Sequence, residues 1–182
     1  MQTFAVYVDN KPGVLNRVAS LFRRRAFNIE SLTVGHTEMP GVSRMTIVVD
    51  TDERGARLVE ANLYKLIPVR RVDNITRVPT IGRDLAMIKV AATGDARTQV
   101  MQLVDVYRSR IVDVSPESLV IETTGTEDKI DSLLEVLRPY GVIEMVRTGR
   151  VEMARGIMQP TPVGTVQPER RAAPRDAGSG SV

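Results

Sequence analysis

The chain has 182 residues, of which 42% are hydrophobic and 26% charged, a composition typical of a globular protein with one domain or two small ones. It has no cysteine and one histidine, His36, which excludes disulfide bonds, thiol catalysis, cysteine zinc sites and multi-histidine metal centres. The 25 basic and 22 acidic residues leave a net charge of only +3, and the 4% aromatic content provides few platforms for stacking nucleic-acid bases.

Membrane insertion and secretion are not indicated by the hydropathy pattern. No apolar run reaches the length of about 18 residues that a spanning helix requires. The N-terminus lacks the basic region and apolar stretch of a secretory signal peptide. We therefore expect a cytoplasmic protein that does not contact a membrane.

The first half of the chain reads as strand, helix, strand, strand, helix, strand. Strands are predicted where apolar and polar residues alternate, and helices where apolar residues recur every three to four positions. In chain order, the predicted elements are a strand at 3–9, a helix from the turn at 10–13 to Arg25, strands at 29–37 and 42–50, a helix at 54–66 and a strand at 68–77. The inward face of the first helix is predicted to hold Val14, Leu15, Val18, Leu21 and Phe22.

The second half repeats this order at an interval of about 80 residues, which is too long for a solenoid repeat. Its predicted elements are a strand at 85–93, a helix with Asp95 as its N-cap, strands at 110–115 and 117–124, a helix at 127–137 and a strand at 142–150. The pattern predicts an α+β fold of two tandem ferredoxin-like βαββαβ domains.

Domain boundaries follow from this repeat and from the composition of the C-terminus. We place the first domain at residues 1–78, a linker at 79–84 and the second domain at 85–156. Residues 157–182 are rich in proline, glycine and small polar side chains. We predict that this tail is disordered, because it cannot bury enough apolar surface to offset its ordering entropy.

The polar turn after the first strand is the most informative stretch for function. It comprises Asn10, Lys11, Pro12, Gly13, Val14 and Leu15 and leads into a helix. The first amides of a helix lack intrahelical partners and lie at the positive end of its dipole, so they can bind a carboxylate or a phosphate. Gly13 would let a ligand approach the backbone, and Asn10 could contact an ammonium as well as a carboxylate. An ordinary turn that binds nothing accounts for the same residues.

Asn28 and Ile29, at the start of the second strand, form the next candidate site. A turn asparagine that leaves the preceding helix is the competing interpretation. His36 is expected to be solvated or structural, since it has no clustered partner in the sequence. Paired carboxylates, phosphate-binding glycine motifs and metalloprotease motifs are absent from the sequence. The residues alone thus indicate a small-ligand-binding protein with no catalytic residues and no metal site.

Two stretches of the chain resemble a known family. DNKPGVLNRVASLFRRRAFNIESLTVGHTE and GVSRMTIVVD resemble the ACT domain, a βαββαβ module that binds amino acids. Within them, FNIESLTVG and SRMTIVV are similar to the small, regulatory subunits of acetolactate synthase, also called acetohydroxyacid synthase. The resemblance covers about residues 2–156, with a second ACT-like domain that ends in GRVEMARG.

This resemblance implies a regulatory chain that catalyses nothing and needs no cofactor of its own. Such subunits activate a large catalytic subunit that uses thiamine diphosphate, Mg²⁺ and FAD, and they make it sensitive to valine, often also to leucine or isoleucine. The resemblance further implies a homodimer whose sheets pair edge to edge with the effector at the interface. Residues 10–15 of one chain would then face Asn28 and Ile29 of the other.

Three alternatives use the same fold or domain. An RNA-binding module needs exposed aromatic residues on its central strands, and the stretch 43–49 has none. An acylphosphatase-like enzyme needs an arginine in the loop after the first strand, where this chain has Lys11 and Pro12. A stand-alone ACT-type amino-acid sensor stays open as the alternative function.

Overall fold

The computed structural model describes residues 1–156, so the predicted disorder of residues 157–182 lies outside the described residues. The strands are β1 Gln2–Asp9, β2 Ile29–His36, β3 Val42–Val49, β4 Val69–Asn74, β5 Thr80–Ala91, β6 Arg110–Val114, β7 Ser118–Gly125, β8 Val142–Arg147 and β9 Val151–Ala154. The α-helices are α1 Val14–Arg24, α2 Glu53–Leu63, α3 Gly94–Val106 and α4 Glu127–Leu137, and a 3₁₀ helix follows at Arg138–Tyr140.

The strands form two antiparallel sheets with equivalent topology. The first sheet has the order β2-β3-β1-β4, and the second has the order β6-β7-β5-β8, with β9 paired to the beginning of β5. In both halves the elements follow the sequence β-α-β-β-α-β. The predicted α+β fold with two ferredoxin-like units is therefore confirmed.

One face of the first sheet packs against α1 and α2. Phe4, Val6 and Val8 of β1 are at most 1% exposed, as their alternation along the strand predicts. The same apolar cluster includes Val14, Val18, Leu21 and Phe22 of α1, Met45 and Ile47 of β3, and Val59 and Leu63 of α2. Leu15 was expected in this core, and that expectation is wrong, because its side chain is 46% exposed. It lies about 100° around the helix axis from Val14, outside the stripe that faces the sheet.

The second sheet has a separate core on its helix-covered face. Its fully buried side chains include Ile88 and Val90 of β5, Ile121 of β7, Val100 of α3, and Ile130, Leu133 and Leu137 of α4. The buried positions of α3 and α4 recur every three to four residues, as expected of a helix face that packs on a sheet. Asp95 is not the N-cap of α3 as predicted; Thr93 takes that position, and Asp95 lies in the first turn of a helix that begins at Gly94.

The segment predicted to be a linker is mostly strand. Residues 80–84 are the first part of β5, which we expected to begin at Leu85. The strand predicted at 142–150 ends at Arg147 as β8, and it is followed by a strand that was not predicted, β9. The pairs Thr80–Ala154 and Arg83–Val151 join the two added pieces into a ladder. Backbone groups that a bare linker would leave to solvent are thereby hydrogen-bonded.

The β5–β9 ladder lies over the face of the first sheet that no helix covers. The Arg44 guanidinium of β3 donates from Nη2 to the backbone oxygen of Glu152 at 2.5 Å. The backbone oxygen of Arg150, just before β9, accepts from the Thr33 hydroxyl of β2 at 2.8 Å. The two domains are therefore in direct contact through polar groups of the first sheet and the end of the second domain.

Candidate functional site

The turn between β1 and α1 is held by backbone hydrogen bonds and leaves its outer side open. The Asn10 amide donates to the Gly41 carbonyl oxygen at 2.9 Å, and the Lys11 amide donates to the Asp9 carbonyl oxygen at 2.9 Å. Pro12 precedes Gly13, which is the N-cap of α1 and has φ +80° and ψ −3°, a left-handed conformation that favours glycine. A Cβ built on Gly13 would meet no atom within 4 Å. The approach to the helix terminus is thus unobstructed.

The N-terminus of α1 has no side-chain cap in the part of the chain that the structure describes. No side chain caps the helix by a hydrogen bond, and its first turn contains no acidic residue. The Val14 amide donates to the Lys11 carbonyl oxygen at 3.4 Å, and the next amides of the first turn lie at the positive end of the helix dipole, where a carboxylate would be stabilised. The anion site stays a prediction, and the left-handed dihedral angles of Gly13 place this residue outside the helix that follows it.

Two cations surround the carboxylate next to this turn. Asp9 accepts from Lys11 Nζ at 3.0 Å through Oδ2 and from Arg70 Nε at 2.6 Å through Oδ1. The hydrogen bond from Lys11, followed by that from Arg70, lowers the pKa of Asp9 below its ordinary value. Two positive charges face the single negative charge of Asp9. The local net charge at the start of α1 is therefore positive, which favours an anionic ligand.

Asn28 and Ile29 lie at the opposite end of the same sheet. Asn28 is exposed and donates from Nδ2 to a carboxylate oxygen of Glu30, while its carbonyl oxygen accepts from the Asp50 amide at 3.4 Å. Ile29 is half-buried and packs against the first core. The polar end of Asn28 is thus turned to the surface beside an apolar side chain.

Strand register separates the two candidate groups within one chain. Asp9 pairs with Val42 at one end of β3, and Ile29 pairs with Val49 at the other. Seven steps of about 3.3 Å place the two ends roughly 23 Å apart. A single α-amino acid is too short to contact both groups in one chain.

His36 is a site neighbour that the sequence did not identify. It is exposed at the end of β2, and its Nδ1 lies 3.5 Å from Nδ2 of Asn10. The sequence offers no direct signal for this contact, because it depends on β1 and β2 both pairing with β3 so that their C-terminal ends coincide. The turn after β1 and the end of β2 therefore form one corner of the domain.

Neither a metal centre nor a membrane span is found in the part of the chain that the structure describes. Within residues 1–156, no group of three or more His, Asp or Glu side chains is arranged to hold a metal ion. No helix in the same range is long and apolar enough to cross a membrane.

Comparisons with known proteins cover both domains. A family profile described as an AHAS small subunit-like ACT domain matches residues 4–71, and one described as the small subunit of acetolactate synthase matches residues 83–156. A probable acetolactate synthase small subunit of Archaeoglobus fulgidus is 51% identical over 154 residues, which are 85% of this chain and 96% of that protein. The acetolactate synthase small subunit of Mycobacterium leprae is 48% identical over 165 residues, covering 91% of this chain and 96% of its own length.

A solved structure agrees over nearly the whole described range. The acetolactate synthase small subunit of Thermotoga maritima superposes with a TM-score of 0.82 at 40% sequence identity, covering 86% of this chain and 98% of that chain. The similarity in sequence and in structure thus extends across both domains. The chain belongs to the acetolactate synthase small-subunit family.

Proposed function

We propose that this chain is the non-catalytic regulatory subunit of an acetolactate synthase. In this proposal it forms a homodimer, activates the large catalytic subunit and makes that enzyme sensitive to feedback by valine, with leucine or isoleucine as further effectors. The family membership and the relatives' description as small subunits support a larger catalytic partner. That partner, rather than this chain, would hold thiamine diphosphate, Mg²⁺ and FAD.

The separation of the two candidate groups is the observation that carries the proposal. The turn at residues 10–15 and the Asn28–Ile29 pair lie at opposite ends of β3, so one ligand needs two chains to contact both. Among the described residues, β2 is an edge strand of the first sheet and pairs only with β3. Its outer backbone groups can therefore extend the sheet into a second copy.

A twofold pairing of β2 with β2 of a second chain brings the two groups together. Antiparallel pairing places the Asn28 end of one strand beside the His36 end of the other. Asn10 lies against His36, so the helix entrance of one chain would meet Asn28 and Ile29 of its partner. Two equivalent effector sites would result, one at each end of the paired strands.

The residues at such a site match the three parts of a branched-chain amino acid. The uncapped N-terminus of α1 suits the carboxylate, and the side-chain oxygens of Asn10 and Asn28 can accept from the ammonium. Ile29 and the exposed Leu15 can cover the apolar side chain. The exposure of Leu15 supports a role at an interface between copies, since 46% of an apolar side chain is left to solvent in the single chain.

Sedimentation and isothermal titration with valine test the dimer and the site together. We expect a dimer that binds one valine per chain and associates more tightly in its presence, because binding and association are reciprocally linked. A monomer that binds valine without associating would contradict the shared site.

Reconstitution with the large subunit tests the regulatory role. With thiamine diphosphate, Mg²⁺ and FAD supplied, the purified chain alone should form no acetolactate, whereas its addition to the large subunit should raise turnover and confer valine inhibition. Turnover by the isolated chain would contradict the proposal. Valine binding without any effect on the large subunit would favour the stand-alone sensor.

A further inference from the structure

A short turn of the second domain is seated on the strand that begins at the proposed effector site. Residues 148–150 connect β8 to β9 and lie against β2. The Arg150 amide donates to Ser31 Oγ at 2.9 Å, and the Arg150 carbonyl oxygen accepts from Thr33 Oγ1 at 2.8 Å. Arg150 is thus bonded through both of its backbone groups to the open face of β2.

Gly149 lies so close to β2 that no side chain fits at this position. A Cβ built on it would lie 2.6 Å from Ser31 Oγ, 3.1 Å from Thr33 Cγ2 and 3.2 Å from the Leu32 carbonyl oxygen. These neighbours belong to one strand, and one of them is backbone that cannot rotate away. Gly149 is therefore required by the approach of the turn to β2.

The other side of the turn is fixed to the body of the second domain. Arg150 Nη2 donates to Glu127 Oε2 of α4 at 2.7 Å. Arg147, at the end of β8, donates to Asp84 of β5 at 2.6 Å and to Asp131 of α4 at 2.9 Å. The turn consequently has two anchors, one on β2 and one on the α4 and β5 elements of the second domain.

We propose that the turn at residues 148–150 transmits occupancy of the first-domain effector site to the second domain. The inference rests on the proposed function, in which Asn28 and Ile29 bind the effector at the start of β2. Ser31 and Thr33 follow within the same strand, so an effector that orders this strand acts directly on the surface to which the turn docks. In this proposal the second domain is either docked on β2 or released from it. Effector binding would favour the docked state, and docking would by the same factor strengthen effector binding.

Hydrogen exchange with and without valine, on the full chain, tests this route. In the natural chain valine should slow the exchange of the backbone amides at residues 10–16. It should also slow amide exchange in the β5–β9 ladder, at 80–83 and 151–154, by at least about fivefold. Gly149→Ala should keep one valine per chain and the protection at 10–16 but lose the protection in the ladder. Gly82→Ala is the matched control, because a Cβ there meets its nearest atom, Arg150 Cδ, at an ordinary 3.5 Å.

Ser31→Ala keeps the test decisive if Gly149→Ala does not fold. It removes the acceptor of the Arg150 amide without adding volume, and it should reduce the ladder protection while the protection at 10–16 persists. The inference is overturned if valine protects only the first domain of the natural chain, or if both variants transmit protection as the Gly82→Ala control does. Absence of any valine effect at residues 10–16 in the natural chain would instead refute the proposed function, and the inference with it.

Discussion

The side chain of Asn10 lies 3.5 Å from His36, measured from Nδ2 to Nδ1. Through this contact the turn that follows β1 touches the end of the edge strand β2. Changes in the turn and changes at the sheet edge should therefore act on the same corner of the domain. This corner also contains the left-handed Gly13 and the uncapped start of α1.

Gly13→Asp should abolish valine inhibition by placing a carboxylate where the effector carboxylate is proposed to bind. The left-handed φ of +80° means that any side chain at this position is strained, at a cost of roughly 1–2 kcal/mol. Asparagine and aspartate tolerate this conformation best, so the variant should still fold. Activity of the reconstituted complex, titrated with valine, is the measurement.

Gly13→Asn is the matched control for this experiment, since it has the same shape and the same backbone strain without the charge. It should retain more valine inhibition than Gly13→Asp, and both should leave activation of the large subunit in place. Inhibition of the Gly13→Asp complex at the natural midpoint would refute the site. Equal loss in both variants would refute the electrostatic explanation.

Local periodicity was sufficient to predict most of the elements. The apolar spacing of α4 gave its bounds at 127–137, and the alternation of Phe4, Val6 and Val8 gave the buried face of β1. The error at Leu15 arose because this residue lies about 20° beyond Phe22 at the margin of the buried stripe, where helical spacing alone does not show whether another element covers the side chain. The error at residues 80–84 arose because residues 80–83 pair with residues 151–154 and Asp84 pairs with Gly125, and pairings that distant leave no local signal.

The candidate site was only partly predictable for a related reason. The turn at residues 10–15 and the Asn28–Ile29 pair carry local chemical signals, which the sequence showed. Their separation depends on the register of β1 and β2 on β3, which is a property of the folded sheet.

Leu15→Ala should affect association far more than the stability of the fold. Its side chain is largely exposed, so truncation should change the free energy of unfolding of the monomer by no more than about 0.5 kcal/mol. Leu21→Ala, on the buried face of the same helix, should cost roughly 2–5 kcal/mol. Urea unfolding measures both, and sedimentation should show a weaker dimer for Leu15→Ala. Similar stability losses in the two variants would contradict the helix orientation.

Arg147→Ala should destabilise the second domain strongly. Asp84 Oδ2 accepts from Arg147 Nε at 3.0 Å and from Nη2 at 2.6 Å, and the Asp84 side chain is only 7% exposed. Burial lowers the pKa of Arg147, but the hydrogen bond and charge of Asp84, together with the charges of Asp131 and Glu127, outweigh it, so the net pKa is raised. Removing the guanidinium leaves a buried carboxylate without its cation, at a cost of about 3–5 kcal/mol.

Lys89→Ala provides the exposed comparison for that experiment. The Lys89–Glu144 pair has the same charges at 3.3 Å, but both side chains are well exposed. Its loss should cost no more than about 1 kcal/mol. Denaturant unfolding of the two variants should therefore give clearly different midpoints, and equal midpoints would show that burial of Asp84 does not determine the strength of its pair.

Acid should remove the stabilisation that Asp9 provides to the turn before α1. The hydrogen bonds from Lys11 and Arg70 lower the pKa of Asp9 in the folded chain, whereas the unfolded value is about 3.9. A carboxylate with a depressed folded pKa contributes stability that is fully present above its unfolded pKa and is lost as pH falls through the folded pKa. The thermal midpoint of Asp9→Asn should thus lie below that of the natural chain near neutral pH, and the gap should close below about pH 4.

Introducing Lys11→Met into both proteins should narrow the gap at neutral pH, because it removes the largest cause of the shift. A gap that persists unchanged to pH 2.5 would show that Asp9 acts through its shape rather than its charge.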